Sequence, residues 1–303
     1  MSNKLSPWMK SFIRIMINIT LGGINIVEIV LRPIHKKLYH YKRLKLDYEY
    51  YPDDIFIVSF PKSGTTWMQM ILYQLTSNGE MDFEHINEIS PYLEDADSSR
   101  KRFVDFKRRP RLIKTHLSYN DIPKTDARYI YVMRNVMDVL VSVYYHTQNL
   151  GAGNKNFDDS FLLYAAGRYG GGMWAPHLKD WLRNTSKLNV LFVKYEDLKV
   201  DLESEIRKVA SFCQIKIDEE TIKRVVERSG FKFMQQHEPK FNQVNGMLLD
   251  SGLKMGAFIR KGEVNEGKTH LNEKQVDILR REYDQHLSQF KDLGYYPSLS
   301  SAQ

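Results

Sequence analysis

The chain has 303 residues, with 44 lysines and arginines against 37 aspartates and glutamates and a formal net charge of +7. That length buries a sizeable core, and the charge suits anionic ligands or an anionic membrane without by itself indicating nucleic acid. One cysteine, Cys213, excludes an internal disulfide and fits a reducing compartment, while zinc-type cysteine pairs, an aromatic-plus-basic nucleic-acid signature, internal repeats and Pro/Gly/Ser-rich linkers are all missing, so a single domain is expected.

Residues 11–31 are mostly Ile, Val, Leu, Met and Phe, broken by Arg14, Asn18, Asn25 and Glu28. On a helix, Arg14, Asn18 and Asn25 fall near one stripe, with Gly22 between them. A membrane span needs roughly 20 predominantly apolar residues, and here charges sit near both ends. The basic flanks, Lys4 and Lys10 before and Arg32, Lys36 and Lys37 after, suit an interfacial helix on anionic lipid. No small-residue cleavage site follows, so a secretory signal is not expected. Three readings stay open: a helix packed on the domain, one lying on a membrane surface, and a span. Residues 35–51 read as a connector, and 1–50 together as a helical, amphipathic extension.

Ile55-Phe56-Ile57-Val58 is short and apolar enough for a buried strand, and Met68, Ile71, Leu72 and Leu75 recur at helical spacing. Between them lies Ser59-Phe60-Pro61-Lys62-Ser63-Gly64-Thr65-Thr66-Trp67. A strand-to-helix turn of this kind presents free N–H groups and a positive helix end to an anion. Gly64 permits close backbone approach, Lys62 adds a cation, and Thr65 and Thr66 add hydroxyls. The string is not the Walker form, because its lysine precedes the glycine.

Residues 77–110 read as polar and irregular, although Phe83, Tyr92 and Phe103 are candidates for a ligand pocket. Arg111 to Leu117 reads as a short strand ending at His116. Arg128 to Met133 is another, running into a helix that carries Arg134 at its start and Ser142 eight residues on, about two turns later and on one side. Asp138 between them reads as a structural partner of the strand ends. Six glycines in 151–172 surround a helix expected at 158–166 and suggest a mobile cover over a ligand site. Trp174, His177 and Trp181 share a helix and read as core. A strand at 189–194 ends at Tyr195-Glu196-Asp197, helices are expected at 201–213, 218–229 and 272–291, and the chain beyond Leu293 is expected to fray.

Phe-Pro-Lys-Ser-Gly-Thr-Thr-Trp closely resembles the phosphosulfate loop of the cytosolic-type sulfotransferases. Lys114-Thr115-His116-Leu117 matches the segment carrying that family's base, with Ser118 where proline is usual. Arg134-Asn135-x-x-Asp138-x-x-x-Ser142 and Phe258-Ile259-Arg260-Lys261-Gly262 match its two 3′-phosphate strings, and Ser229-Gly230-Phe231-Lys232-Phe233-Met234 loosely matches its adenine-stacking string.

The resemblance spans about residues 52–290. It implies an α/β fold with a central parallel sheet flanked by helices, related to P-loop nucleotide kinases, in a domain of 51–295 followed by a flexible tail, 296–303. It implies 3′-phosphoadenosine 5′-phosphosulfate (PAPS) as sulfuryl donor, held by Lys62, Ser63, Gly64, Thr65, Thr66 and Trp67 at its 5′ end. Arg134, Ser142, Arg260, Lys261 and Gly262 would hold the 3′-phosphate, with Tyr195, Ser229, Phe231 and Met234 at the adenine. His116 would be the base toward a hydroxyl or amine of a small or amphiphilic acceptor, with Lys62 and Lys114 assisting and no metal required. Besides Ser118, two further features depart from the family: Asn265-Glu266-Gly267-Lys268-Thr269 lacks the usual tryptophan, and the Lys-x-x-x-Thr-Val dimer signature is missing, so dimerisation by that route is not expected and the oligomeric state stays open. A cytoplasmic location is expected, with membrane association through 11–31 and no nucleic-acid partner. Two other readings remain: a kinase-like phosphotransferase, and a non-catalytic membrane-associated nucleotide-binding module.

A charge at the centre of a spanning helix costs roughly 2.5–3.5 kcal/mol on insertion scales, less near the ends where Arg14 and Glu28 fall. The segment is therefore expected to be peripheral, and a shortened protein beginning near Asp47 should keep its activity. Liposome flotation of both lengths at low and high salt checks this. Loss of activity on shortening, with no lipid binding by either length, would make the segment part of the core.

Overall fold

The computed structural model describes residues 49–94, 109–149, 156–167, 169, 172–242 and 257–299. The segment 11–31, Phe103 and the pair Gly170-Gly171 lie outside the described residues.

Four apolar runs form the strands β1 (Ile55–Ser59), β2 (Leu112–Thr115), β3 (Arg128–Met133) and β4 (Asn189–Lys194). They make one parallel sheet in the order β2-β1-β3-β4, with Ile57 opposite Lys114 on one side and Ile130 on the other. Every residue of β1 is buried, as a strand covered on both faces requires.

The first helices in chain order are α1 (Thr65–Thr76), α2 (Ile86–Ile89), α3 (Val136–Asn149), α4 (Phe157–Ala165) and α5 (Trp174–Arg183). After β4 come α6 (Tyr195–Val200), α7 (Leu202–Cys213), α8 (Glu219–Ser229), α9 (Phe231–Gln236), α10 (Gly267–His270) and α11 (Glu273–Leu287). Strand alternation sorts the core into two layers. Phe56, Val58, Tyr129 and Tyr131 meet α3, α4, α5 and α11, whereas Ile55, Ile57, Ile130 and Val132 meet α1, α7 and α8.

Asn156, Asp201, Asp218 and Asn272 each accept an N–H of the first turn of the helix they precede, which is why α4, α7, α8 and α11 start where they do. Asn272 and Gln275 form a reciprocal capping box. α1 is different: it begins at Gly64, in left-handed backbone and without a capping side chain.

The expected helices appear within a few residues of their sequence positions. Two expectations are corrected. Phe83 is core, 5.2 Å from Tyr73 by ring centroid, and is not among the residues lining the cavity at the strand ends. The chain past Leu293 is docked at Tyr295, which is buried and donates to Glu196 at 2.6 Å, because the Glu196 carboxylate and the Trp174 ring edge offer it a site. Pro297 O also accepts from Arg280 Nε at 3.1 Å.

β1 and β2 are joined at their entry by a buried ion pair. Arg111 donates to both oxygens of Asp54, Nε–Oδ1 2.7 Å and Nη2–Oδ2 2.5 Å, and Asp54 is fully buried. Asp54→Ala leaves the buried Arg111 without its counter-charge and should cost about 3–5 kcal/mol. Urea unfolding checks this, and a loss below 1 kcal/mol would show that the pair does not hold the strands.

Candidate active site

Parallel register brings the carboxyl ends of β1, β2 and β3 to one edge, where ligands of open α/β sheets bind. There a cavity of about 330 Å³ opens. β1 delivers the turn 60–64, β2 leads to His116, and β3 leads to Arg134.

In that turn Lys62 (φ 66°) and Gly64 (φ 102°) both take left-handed backbone. A Cβ at Gly64 would lie 2.7 Å from Tyr195 Cδ2, so only glycine fits. Ser59 Oγ and Thr65 Oγ1 are 2.6 Å apart, closing the turn beneath the uncapped start of α1. Trp67 donates to Ser229 O at 2.7 Å and meets Tyr195 edge-on at 5.2 Å.

His116 is gripped from three directions. Its Nδ1 is 2.8 Å from Ser59 O, its amide donates to Glu94 Oε1 at 2.5 Å, and its carbonyl oxygen accepts from His177 Nε2 at 3.1 Å. Tyr131 O–H donates in turn to His177 Nδ1 at 2.7 Å, which makes His177 Nε2 the protonated nitrogen. The same logic puts the proton of His116 on Nδ1 and a lone pair on Nε2. Burial, then Lys114, push the His116 imidazole down to about 3, so it is neutral at ordinary pH. Burial pushes the Glu94 carboxyl up to about 7 against the pull of the His116 amide.

Burial of positive charge dominates the electrostatics. Burial, then Lys114 and Arg134, bring Lys62 down to about 7; burial brings Lys114 down to about 8 although Glu94 opposes it. The Lys62 amine rests 4.4 Å from the Phe258 ring. Arg134 stacks 4.2 Å over Tyr195 and donates to Lys62 O and Glu263 O at 3.3 and 2.9 Å. Its buried Nε has no partner among the described residues.

Arg260 and Lys261 close the far wall. Arg260 Nη1 donates to Glu266 Oε1 at 2.7 Å and Nη2 donates to Oε2. A Cβ at Gly262 (φ 62°) would stand 2.7 Å from Phe231 Cδ2.

Of the seventeen residues nominated from sequence, sixteen line this one cavity; Ser63 alone does not. Ser63 is buried below the turn, and its Oγ has no partner among the described residues. Ser229 lines the wall, but its hydroxyl donates to Val225 O at 2.5 Å within α8. Asp138 is structural, though for a loop rather than the strand ends: its carboxylate accepts from Asn265 and Gly267 N–H, both at 2.8 Å. Gly267 has a physical reason, since a Cβ there would lie 2.4 Å from Met137 Cβ. Tyr92 lines the cavity as nominated. Sequence reasoning missed the role of His177 beneath the base, as well as Glu94, His146 and Glu266. His146 was findable, being one turn past Ser142 on α3, and it lines the cavity against Phe258. Glu94 and Glu266 carry no signal in their immediate neighbours.

The sulfotransferase domain model matches residues 52–291. A rabbit (Oryctolagus cuniculus) amine sulfotransferase is 34% identical over 80% of this chain and 84% of its own length. Human (Homo sapiens) sulfotransferase 1C2 is 32% identical over 78% of this chain and 85% of its own. In fold, the chain is similar to retinol dehydratase in complex with androsterone and the inactive cofactor PAP (TM-score 0.70, 21% identity, covering 83% and 85%). It is also similar to mouse sulfotransferase SULT7A1 complexed with PAP (TM-score 0.64, 22% identity, covering 83% and 90%). The chain belongs to the sulfotransferase domain family and is a sulfotransferase. Among the described residues no helix is long and apolar enough to cross a membrane.

Proposed function

We propose that this sulfotransferase moves the sulfuryl group of PAPS to a hydroxyl or amine of a small or amphiphilic acceptor, with His116 as the base. The observation that carries the reading is the Nδ1 contact of His116 with Ser59 O, which leaves Nε2 as the basic nitrogen beside Lys62 and Lys114.

An anionic nucleotide fits these residues. The uncapped start of α1 and the unpartnered Arg134 Nε are donors in need of an anion, and the two glycines let the Tyr195 and Phe231 rings pack directly on the backbone that lines the cavity. The turn from Lys62 to Trp67 would hold the 5′ end, with Ser63 closing the turn through its N–H to Phe60 O at 3.3 Å. Arg134, Ser142, Arg260 and Lys261 would hold the 3′-phosphate, and Trp67, Tyr195, Phe231 and Met234 would flank the adenine. PAPS, when bound, supplies a sulfuryl group on a phosphate leaving group.

His116 Nε2 takes the proton from the acceptor oxygen or nitrogen as that atom forms its bond to sulfur. Lys62 offsets the charge growing on the phosphate oxygen as the old S–O bond breaks, and Lys114 adds to the same field. Glu94, Ser59 and His177 keep the imidazole in place during the transfer. Tyr92, His146 and Tyr169 give the acceptor side a mixed aromatic wall suited to a small ring or an amphiphile. The rabbit relative is named for amines, and an amine acceptor would use the same proton transfer. The catalytic unit is assigned to 51–295, with 1–50 as an extension, 296–303 as a tail and a cytoplasmic setting.

His116→Ala should lower turnover by roughly a hundredfold or more while changing PAP affinity little. A radiolabelled-sulfate transfer screen over phenols, alcohols, amines and lipids reads the first quantity, and calorimetry the second. Near-normal turnover in the variant would remove His116 from the role of base.

PAP binding should also depend on pH. An anion beside Lys62 and Lys114 favours their charged forms, raising values that stand at about 7 and about 8 in the free protein. The complex then holds more protons than the free protein above pH 7, so binding takes up protons at pH 8 and affinity falls as pH rises, by at most about tenfold per unit per group. Calorimetry in two buffers of different ionisation enthalpy measures the uptake. Affinity unchanged from pH 7 to 9 would contradict it.

A further inference from the structure

Arg260 and Lys261, the cations assigned above to the 3′-phosphate, already hold an anion belonging to the chain itself. The Arg260 fork takes Glu266 with both Nη atoms, and Lys261 Nζ lies 3.4 Å from Glu266 Oε1. Glu266 is 8% exposed and lines the same cavity. Two parallel N–H···O contacts to a planar carboxylate reproduce the way arginine grips two phosphate oxygens.

The loop carrying Glu266 cannot slide aside. Asp138 holds the amides on either side of it, those of Asn265 and Gly267, and Gly267 is pressed on Met137 so closely that a Cβ would not fit. The Glu266 carbonyl also accepts from the Thr269 amide at 3.1 Å and its hydroxyl at 2.9 Å. The backbone is therefore fixed from both sides, and only the side-chain torsions of Glu266 can move the carboxylate off Arg260.

We propose that Glu266 is an internal competitor for the 3′-phosphate, occupying the Arg260–Lys261 clasp between turnovers and exchanging places with phosphate when nucleotide binds. The inference rests on the assignment of Arg260 to the 3′-phosphate. Exchange keeps Arg260 paired at every stage, so its half-buried charge is never left without a counter-ion. The donor and the spent nucleotide both carry the 3′-phosphate, so the competitor weakens both alike. It raises the donor KM and speeds departure of the spent nucleotide, which raises kcat where release limits turnover. A nucleotide with a free 3′-hydroxyl makes no demand on the clasp and leaves the pair as it is.

Calorimetry with PAP and with adenosine 5′-monophosphate, on the full chain, separates the possibilities. Glu266→Gln keeps the shape and removes the charge; it should tighten PAP by roughly ten- to a hundredfold and leave adenosine 5′-monophosphate unchanged. Its donor KM and its PAP dissociation rate should both fall. Arg260→Ala should weaken PAP by at least about tenfold with little effect on the monophosphate, and in the Arg260→Ala, Glu266→Gln double variant the gain should vanish. Weaker or unchanged PAP binding in Glu266→Gln, with Arg260→Ala still selective, would overturn the competitor and make Glu266 an orienting partner of Arg260. Equal loss for both nucleotides in Arg260→Ala, or no loss, would instead overturn the 3′-phosphate assignment itself.

Discussion

Three cations, Lys62, Lys114 and Arg134, are gathered at one buried edge of the sheet, and the cost of burying them together governs the site. Burial first, then Lys114 and Arg134, brings Lys62 down to about 7. Such a cluster costs free energy in the free protein and repays it only when an anion enters. The fold makes it possible because a parallel sheet of four strands sends its carboxyl ends to one edge, and each strand end can present a different cation there. The buried pair Asp54–Arg111 sits at the opposite, entry end of the same strands. Neutralised charge fastens the sheet at one edge, and charge still wanting a partner marks the other.

The base depends on the scaffold in a second way. His116 follows β2, where regular hydrogen bonding stops, yet its amide, carbonyl and ring each have a partner on a different element. One of those partners, His177, lies on α5, and the start of α5 is itself held: Glu282 on α11 accepts from the Ala175 amide at 3.0 Å and from Tyr164 O–H. Trp181, one turn further along α5, donates to Leu117 O at 3.2 Å. A helix on one face of the sheet is thus tied to the C-terminal helix at one end and to the catalytic segment along its side. The imidazole is set by elements far apart in sequence, the arrangement that gives a catalytic group a fixed aim.

What could be read from the sequence follows from how local each signal is. The phosphate turn was legible because strand, left-handed turn and helix lie within some twenty residues, and a turn with Gly64 against Tyr195 tolerates few alternatives. Strands β1 and β3 announced themselves as apolar runs because both faces are covered. Cavity residues with a string of their own, such as Arg260 and Lys261, were found. Glu94 and Glu266 were not, because their significance lies in a partner: Glu94 meets an amide 22 residues away, and Glu266 matters only because Arg260 turns back onto it. Tyr295 misled for a related reason. A polar C-terminal stretch reads as frayed until the acceptor of Tyr295, the Glu196 carboxylate on α6, is known.

At Gly267, where the family resemblance leads one to expect a tryptophan, the packing of the loop on α3 leaves no room for a side chain. A tryptophan there is excluded by Met137, and without a bulky side chain the loop packs directly on α3 through the two amides that Asp138 accepts. That close packing fixes the residue between those amides, which is Glu266, within reach of the Arg260 fork. In this chain the bare backbone at Gly267 and the placement of the Glu266 carboxylate are consequences of a single local geometry. The small residue brings the loop down onto the helix, and the lowered loop carries an anion into a cavity whose other groups are arranged to receive one.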